Sequence, residues 1–373
     1  MIEIHGHYTE GFGVVADAFA DNFEKDGDIG AACTVFQDGA AVVDIHSGWR
    51  DRKRTTPWDA ATTPAIYSTG KALVALLIAK AVDEGALAYD APVASYWPAF
   101  AAEGKDKVTV VEALSHQAGL PGFPEAIAPT DWLDWDGICA KIAALAPMWS
   151  PGTASGYHPI TYGFIAGELL RRATGETPGA ALRALQKAPE DAVLIGLKET
   201  EFAAAPKMAK PPRPPNLGQL NPYKEAAFLK PWSSSGQPGN EAWMRAEIPA
   251  ANTHATARGL ARLMHAFVDG HIAGGERFIS NEAIAAATQE RIASDNLVLP
   301  FHISWAAGLM RNKGLSIYGP NPEAVGHSGF GGACTFADAD AGLSFAYVTN
   351  RMSEHLMGDP RPKRLIDAVY GSL

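Results

Sequence analysis

The segment AIYSTGKALVALLIAKAVDEGAL, residues 65–87, sets a serine three positions before a lysine at the mouth of an otherwise apolar stretch. Beyond Gly70, apolar residues recur at three- and four-residue intervals through Leu73, Leu76, Leu77, Ala79 and Val82, and Gly85 supplies a stop. The pattern predicts a buried helix that has no need of Lys71 for stability. Residues three apart share one helical face, so Ser68 and Lys71 bring a hydroxyl and an amine within hydrogen-bond reach, as a nucleophile and its base require. A serine N-cap followed by a solvated lysine accounts for the same letters. Because one S-x-x-K arises by chance in an ordinary chain of this size, its companions decide.

The bulk composition narrows the field. With 373 residues, 47% hydrophobic and 19% charged, the chain reads as globular, able to bury a large core in one domain or two interlocked lobes. A formal charge of -10 disfavours nucleic acid or an anionic membrane as the main partner, since both reward clustered Lys and Arg. Cys33, Cys139 and Cys334 are odd in number and far apart, which fits reduced thiols better than a disulfide framework or a zinc site. The opening MIEIHGHYTEGFG lacks a basic segment followed by an apolar one, and no 18-residue apolar run occurs. A cytoplasmic protein with no membrane span is the expectation; the oligomeric state is not legible.

Residues 9–25 read as an amphipathic helix, and AACTVFQ and AAVVDIHSG as two strands joined by an Asp38-Gly39 turn. From 71 to about 200 the pattern is mainly helical. VTVVEALSHQAGLPGF reads as a helix ending at its Gly-Leu-Pro-Gly turn, and ITYGFIAGELLRRATG as one stopped by Gly175. Residues 203–251 are too rich in Pro, Ser, Gly and Asn for long elements, yet Phe228, Trp232, Trp243 and Met244 are too apolar for a solvated tether. That stretch is expected to be an ordered loop covering a pocket. ATARGLARLMHAFVDG returns to helix; ISWAAGLMRN, LSIYGP, AVGHSGFGGACTFAD and GLSFAYVTN read as strands, and 361–371 as a closing helix. This order predicts an α+β architecture: an antiparallel sheet formed from both chain ends and flanked by helices, with a mainly helical lobe inserted. The lobes are 1–70 plus 253–373, and 71–252, within a single domain over 1–373.

Two further stretches offer chemistry. Tyr157 lies in the Gly- and Pro-punctuated loop SPGTASGYHP just before a helix, where a scaffold holds a side chain whose tip reaches a cleft. In GHSGFGGA, residues 326–333, small residues on a strand allow close approach to the backbone, whose N–H groups suit an oxyanion. Packing of a loop tyrosine and an ordinary glycine-rich bend are the plainer accounts.

Together and in this order, Ser68-Thr69-Gly70-Lys71, Tyr157-His158-Pro159 and His327-Ser328-Gly329 resemble the serine-reactive hydrolases that include class C β-lactamases, DD-peptidases and family VIII carboxylesterases. LSHQAGLPGF and NTHATARGLARLM are similar to connecting segments of that family, and the resemblance spans almost the whole chain. Two departures favour the esterase branch. Pro159 replaces the asparagine whose amide holds a β-lactam's side chain, and His327 replaces a permanent lysine cation by a group mostly neutral near pH 7.

The resemblance implies that Ser68 attacks an ester carbonyl to form an acyl-enzyme, while Lys71 and Tyr157 share the base and proton-return roles. Which of the two is the base stays open: both ordinarily titrate near 10, so the site must lower one. It also implies an oxyanion hole from the backbone N–H groups of Ser68 and Phe330, and a substrate pocket lined by His158, His327, Ser328, Gly329, Trp232 and Trp243. No metal and no cofactor are expected, and no G-x-S-x-G surrounds any serine. The expected activity is hydrolysis of small-molecule esters of short to medium acyl chain. β-Lactam or D-Ala-D-Ala hydrolysis, acyl transfer to an alcohol, and a non-catalytic binding protein are the alternatives. The physiological substrate is not legible.

Overall fold

The computed structural model describes residues 2–235 and 237–373. One nine-stranded antiparallel sheet draws on both ends of the chain. Strands β1 (His5–Tyr8), β2 (Gly30–Gln37) and β3 (Ala40–Gly48) precede the helical lobe. After it come β4 (Ile292–Asp295), β5 (His302–Trp305), β6 (Met310–Arg311), β7 (Val325–Ser328), β8 (Cys334–Asp338) and β9 (Leu343–Thr349). Their order across the sheet is β1-β3-β2-β9-β8-β7-β6-β5-β4, so β2 and β9 meet at the seam between the two chain ends, with Phe36 opposite Ser344. Asp38 and Gly39 both take positive φ, 48° and 79°, as the two-residue turn between β2 and β3 requires.

Both faces of the sheet are covered, and β9 is buried along its whole length. Phe345 and Tyr347 face a cluster built with helices α1 (Gly13–Lys25) and α5 (Pro360–Tyr370), including Phe19, Leu365 and Val369. Ala346 and Val348 face the opposite cluster, where α2 (Lys71–Asp83), α3 (Thr161–Thr174) and α4 (Ala257–Met264) pack. Burying Phe345 alone contributes about 1.5–3 kcal/mol. Helix α2 is apolar nearly all round because it is covered nearly all round, and Gly175 ends α3 at φ 81°. The antiparallel sheet from both ends and the inserted helical lobe are therefore as expected.

Several local expectations are corrected. β1 and β4 were not anticipated: β1 is exposed throughout and adheres to β3 through backbone pairing. The helix expected over 108–123 spans only Val110–Leu114, because His116 turns into the left-handed region at φ 63°. LSIYGP, residues 315–320, forms bends and no strand. The stretch 203–251 is broken by short helical turns at Pro222–Lys224, Glu225–Leu229 and Glu241–Arg245. All three cysteines are free and buried, and among the described residues no helix is long and apolar enough to cross a membrane.

Candidate active site

Ser68 lies in a 3-10 turn, Tyr67–Gly70, which runs directly into α2. Tyr67 enters the turn at φ 47°, strain that the surroundings hold in place. The Ile66 N–H donates to Thr253 O at 2.8 Å, and the Thr69 hydroxyl donates to Ala333 O at 3.0 Å, so the turn is fixed from two sides. Ser68 itself is half-buried and reachable, whereas Lys71 is fully buried.

The Lys71 amine sits 3.0 Å from Ser68 Oγ, 2.7 Å from Pro159 O and 3.5 Å from Ala250 O. It also lies 4.8 Å from the centre of the Tyr157 ring. No carboxylate pairs with it among the described residues, and burial holds its pKa well below the usual lysine value. With two hydrogens turned to the carbonyls, a neutral amine points its lone pair at the serine hydroxyl. Sequence reasoning valued Pro159 for the amide it lacks; the structure shows that its carbonyl orients Lys71.

Tyr157 is buried beside Ser68 and Lys71, and burial pushes its pKa up. Its ring stacks on Trp305 with centroids 6.0 Å apart and packs against His116 at 4.9 Å and His327 at 6.0 Å. The loop is held by backbone donors: Tyr157 N–H to Asn296 Oδ1 at 3.0 Å, Gly156 N–H to His116 O at 3.0 Å, and His158 N–H to His116 Nδ1 at 3.2 Å. His116 therefore grips the chain on both sides of Tyr157 while its ring touches the phenol. It lay unassigned within LSHQAGLPGF; a histidine just before a Gly-Leu-Pro-Gly turn was the available signal. Asn296 and Trp305 had none.

His158 does not line the pocket. Its Nδ1 lies 2.6 Å from Gly156 O and its Nε2 accepts the Leu120 N–H at 2.9 Å, so both ring nitrogens are committed to the backbone and its pKa falls to about 3 by burial. His327 is likewise buried, with Nδ1 2.8 Å from Ser328 O and Nε2 without a partner among the described residues. Burial, helped by Lys71, lowers its pKa to about 3, so it is neutral at physiological pH.

Gly329 approaches the Ser68 turn so closely that a Cβ there would lie 2.2 Å from Ile66 O. The contact brings Phe330 beside Tyr67, with ring centroids 6.2 Å apart. Neither the Ser68 nor the Phe330 amide donates to another group among the described residues, which leaves both N–H groups free for an oxyanion. Ser328 is half-buried and lies 3.4 Å from the Tyr318 hydroxyl.

The aromatic residues of 203–251 divide. Trp243 is 1% exposed, donates its indole N–H to Ser235 and packs on Tyr67 and His254, making it core and not pocket wall. Trp232 donates to Phe123 O and anchors the stretch to the helical lobe. The segment that joins Tyr157's apolar cluster is Tyr223, Ala227 and Phe228. Among the described residues, no group of three or more His, Cys, Asp or Glu could hold a metal.

An antiparallel sheet and a helical lobe that close on a serine, a buried amine and a phenol define a serine hydrolase of the β-lactamase fold. The chain belongs to the beta-lactamase family, whose model matches residues 17–370. It is 33% identical over 365 residues to the esterase/beta-lactamase LipL of Mycobacterium tuberculosis, covering 93% of this chain and 82% of that protein. A penicillin-binding protein homolog from Caulobacter crescentus superposes with a TM-score of 0.95 at 50% identity, and a family VIII carboxylesterase with 0.92 at 38%, each over 100% of both chains.

Proposed function

We propose that the chain is a carboxylesterase that cleaves esters of short to medium acyl chain through an acyl-enzyme on Ser68. The observation that carries this reading is the Lys71 amine, buried without a counter-charge and set 3.0 Å from Ser68 Oγ. The neutral amine takes the hydroxyl proton as Oγ bonds the ester carbonyl carbon, and the oxyanion rests on the Ser68 and Phe330 N–H groups. Collapse breaks the bond to the alcohol oxygen, which receives the proton through Tyr157 and Lys71; water then releases the acid by the reverse sequence.

Ester is favoured over anionic β-lactam because His327 is neutral and the Pro159 carbonyl is already engaged by Lys71. Phe228 and Tyr223 give the neighbourhood of Tyr157 apolar contact. Each buried acyl methylene adds about 0.8 kcal/mol of binding until the space is filled. Hydrolysis of β-lactams is the second reading, favoured by the names of two relatives, an esterase/beta-lactamase and a penicillin-binding protein homolog.

Intact-mass spectrometry after a fluorophosphonate, followed by peptide mapping, tests the nucleophile, with one adduct expected on Ser68. Steady-state rates on p-nitrophenyl acetate and butyrate, nitrocefin and a D-Ala-D-Ala peptide test the substrate class. Higher kcat/KM on nitrocefin or the peptide than on the esters would overturn the ester reading, and an adduct elsewhere the mechanism.

A further inference from the structure

The turn that presents Phe330 is held from behind by a charged cluster that touches none of the reacting groups. Arg361, on the first turn of α5, is 2% exposed, and all five of its guanidinium hydrogens have acceptors. Nε donates to Asp359 Oδ1 at 3.1 Å; Nη1 donates to Asp28 Oδ1 and Arg351 O, both at 2.7 Å; Nη2 donates to Asp359 Oδ2 and Gly331 O, both at 2.8 Å. The carboxylates are fixed in turn: Asp28 accepts from the Tyr347 and Thr349 hydroxyls, and Asp359 from the Ser353 hydroxyl. Gly331 O also accepts the Ser353 N–H at 3.2 Å.

Gly331 immediately follows Phe330. The Gly332 N–H donates at 3.1 Å to Gly329 O, the carbonyl of the peptide unit that carries the Phe330 N–H, and the Gly329 N–H closes the turn on Ala333 O at 2.8 Å. The direction of the Phe330 N–H is thus set by a short, closed turn whose outer carbonyl is tied to Arg361. Gly331 and Gly332 take φ of 104° and 109°, and a Cβ on Gly332 would lie 2.3 Å from Arg361 Nη2. The absence of that Cβ lets the guanidinium reach the turn.

We infer that Arg361, braced by Asp28, Asp359 and Ser353, is a positioning residue that aims the Phe330 N–H at the developing oxyanion. The inference rests on the proposed hydrolysis through Ser68. A merely structural salt bridge would alter stability and the amount of active protein. A group that aims an oxyanion donor also alters how the enzyme distinguishes a carbonyl oxygen from sulfur, because the longer, weaker acceptor of a thionoester profits less from a well-placed N–H.

The test compares kcat/KM for an oxoester and the matching thionoester in the wild type, Arg361→Lys, Ser353→Ala and the control Glu168→Gln. Glu168→Gln disturbs a buried carboxylate on α3 whose partners are Trp135, Arg171 and Arg172 and none of the residues of this turn. Arg361→Lys is expected to lower kcat on the oxoester about 10- to 100-fold, below the full loss of one oxyanion donor, with KM nearly unchanged. The oxo-to-thiono ratio should fall in Arg361→Lys, fall less in Ser353→Ala, and stay at the wild-type value in Glu168→Gln. A folded Arg361→Lys protein, labelled on Ser68 by a fluorophosphonate, with a wild-type ratio would overturn the inference. Should Arg361→Lys fail to fold, a wild-type ratio in Ser353→Ala overturns it equally. Failure of Ser68 to label in the wild type would instead overturn the proposed mechanism.

Discussion

The two sides of Ser68 are equally buried and electrostatically opposite. On the side of Lys71 and Tyr157 every ionisable group is pushed toward its neutral form. Lys71 is held well below its usual pKa and Tyr157 above, while His116, His158 and His327 are all lowered, with burial the leading cause throughout. Behind the oxyanion turn, by contrast, the Arg361 guanidinium keeps its charge between Asp28 and Asp359; its bonds to Asp359 hold that carboxyl below its usual range, although burial still pushes Asp28 up. Burial without a partner yields groups ready to exchange protons; burial with partners yields a rigid strut. The same fold builds both, one against Ser68 and the other behind the turn that carries Phe330.

The largest expected effect breaks the neutral side at its centre. Ser68→Ala should lose ester turnover by several orders of magnitude. Lys71→Ala and Tyr157→Phe should each be severely impaired, with the double variant scarcely worse than the poorer single, because groups that act as one unit are not additive. Fully multiplicative losses in kcat would separate Lys71 from Tyr157.

Next in size is the grip of His116. His116→Ala removes the acceptor for the His158 N–H and leaves a non-glycine residue at positive φ, and a displaced Tyr157 should cost about 10- to 100-fold in kcat. His116→Asn keeps a short side-chain acceptor and tolerates that φ, so it should recover most of the loss. Equal activity in the two variants would show that neither the acceptor nor the backbone conformation matters.

A smaller effect follows from adding charge to the neutral side. Only unprotonated Lys71 can accept the serine proton, so kcat/KM on a neutral ester should fall as pH drops, with a midpoint well below 10.5. His327→Lys places a second cation beside Lys71, disfavours its protonated form and should move that midpoint lower still. The same variant should strengthen binding of substrates that bear a carboxylate without helping neutral esters. A midpoint shifted upward would contradict the sign.

The smallest effect concerns Trp243. Trp243→Phe removes its hydrogen bond to Ser235 and should cost about 1 kcal/mol of stability, read as a lower Tm, with kcat and KM nearly unchanged. A selective rise in KM would return Trp243 to the substrate pocket.

What was legible in the sequence is what repeats or sits close together along the chain. The β2–β3 hairpin, helices α2 and α3, and the three short motifs around Ser68, Tyr157 and His327 all declare themselves by period, turn residues or spacing. β1 and β4 do not: neither is a buried, alternating strand with turn signals at both ends, and both exist because a neighbouring edge is available. The helix from 108 onward was overrun because nothing in LSHQAG marks His116 as the residue that turns left-handed. The family resemblance implies a pocket position for His158, whereas its backbone partners at Gly156 and Leu120 direct it inward. The Arg361 cluster unites residues 28, 331, 347, 353 and 359 with 361, a convergence set by tertiary folding that no local pattern announces.

The seam between β2 and β9 also governs the order in which the molecule can be assembled during translation. Phe36 is made well before its sheet neighbour Ser344, so at ribosomal rates of about 5–20 residues per second the edge of β2 waits roughly 15–60 s for its partner. Throughout that interval the hairpin presents an open, apolar strand edge to every other nascent chain. Closing the sheet also brings together segments separated by most of the chain, the kind of contact that slows folding. The pairing at the centre of the finished sheet therefore cannot form until β9 has been made.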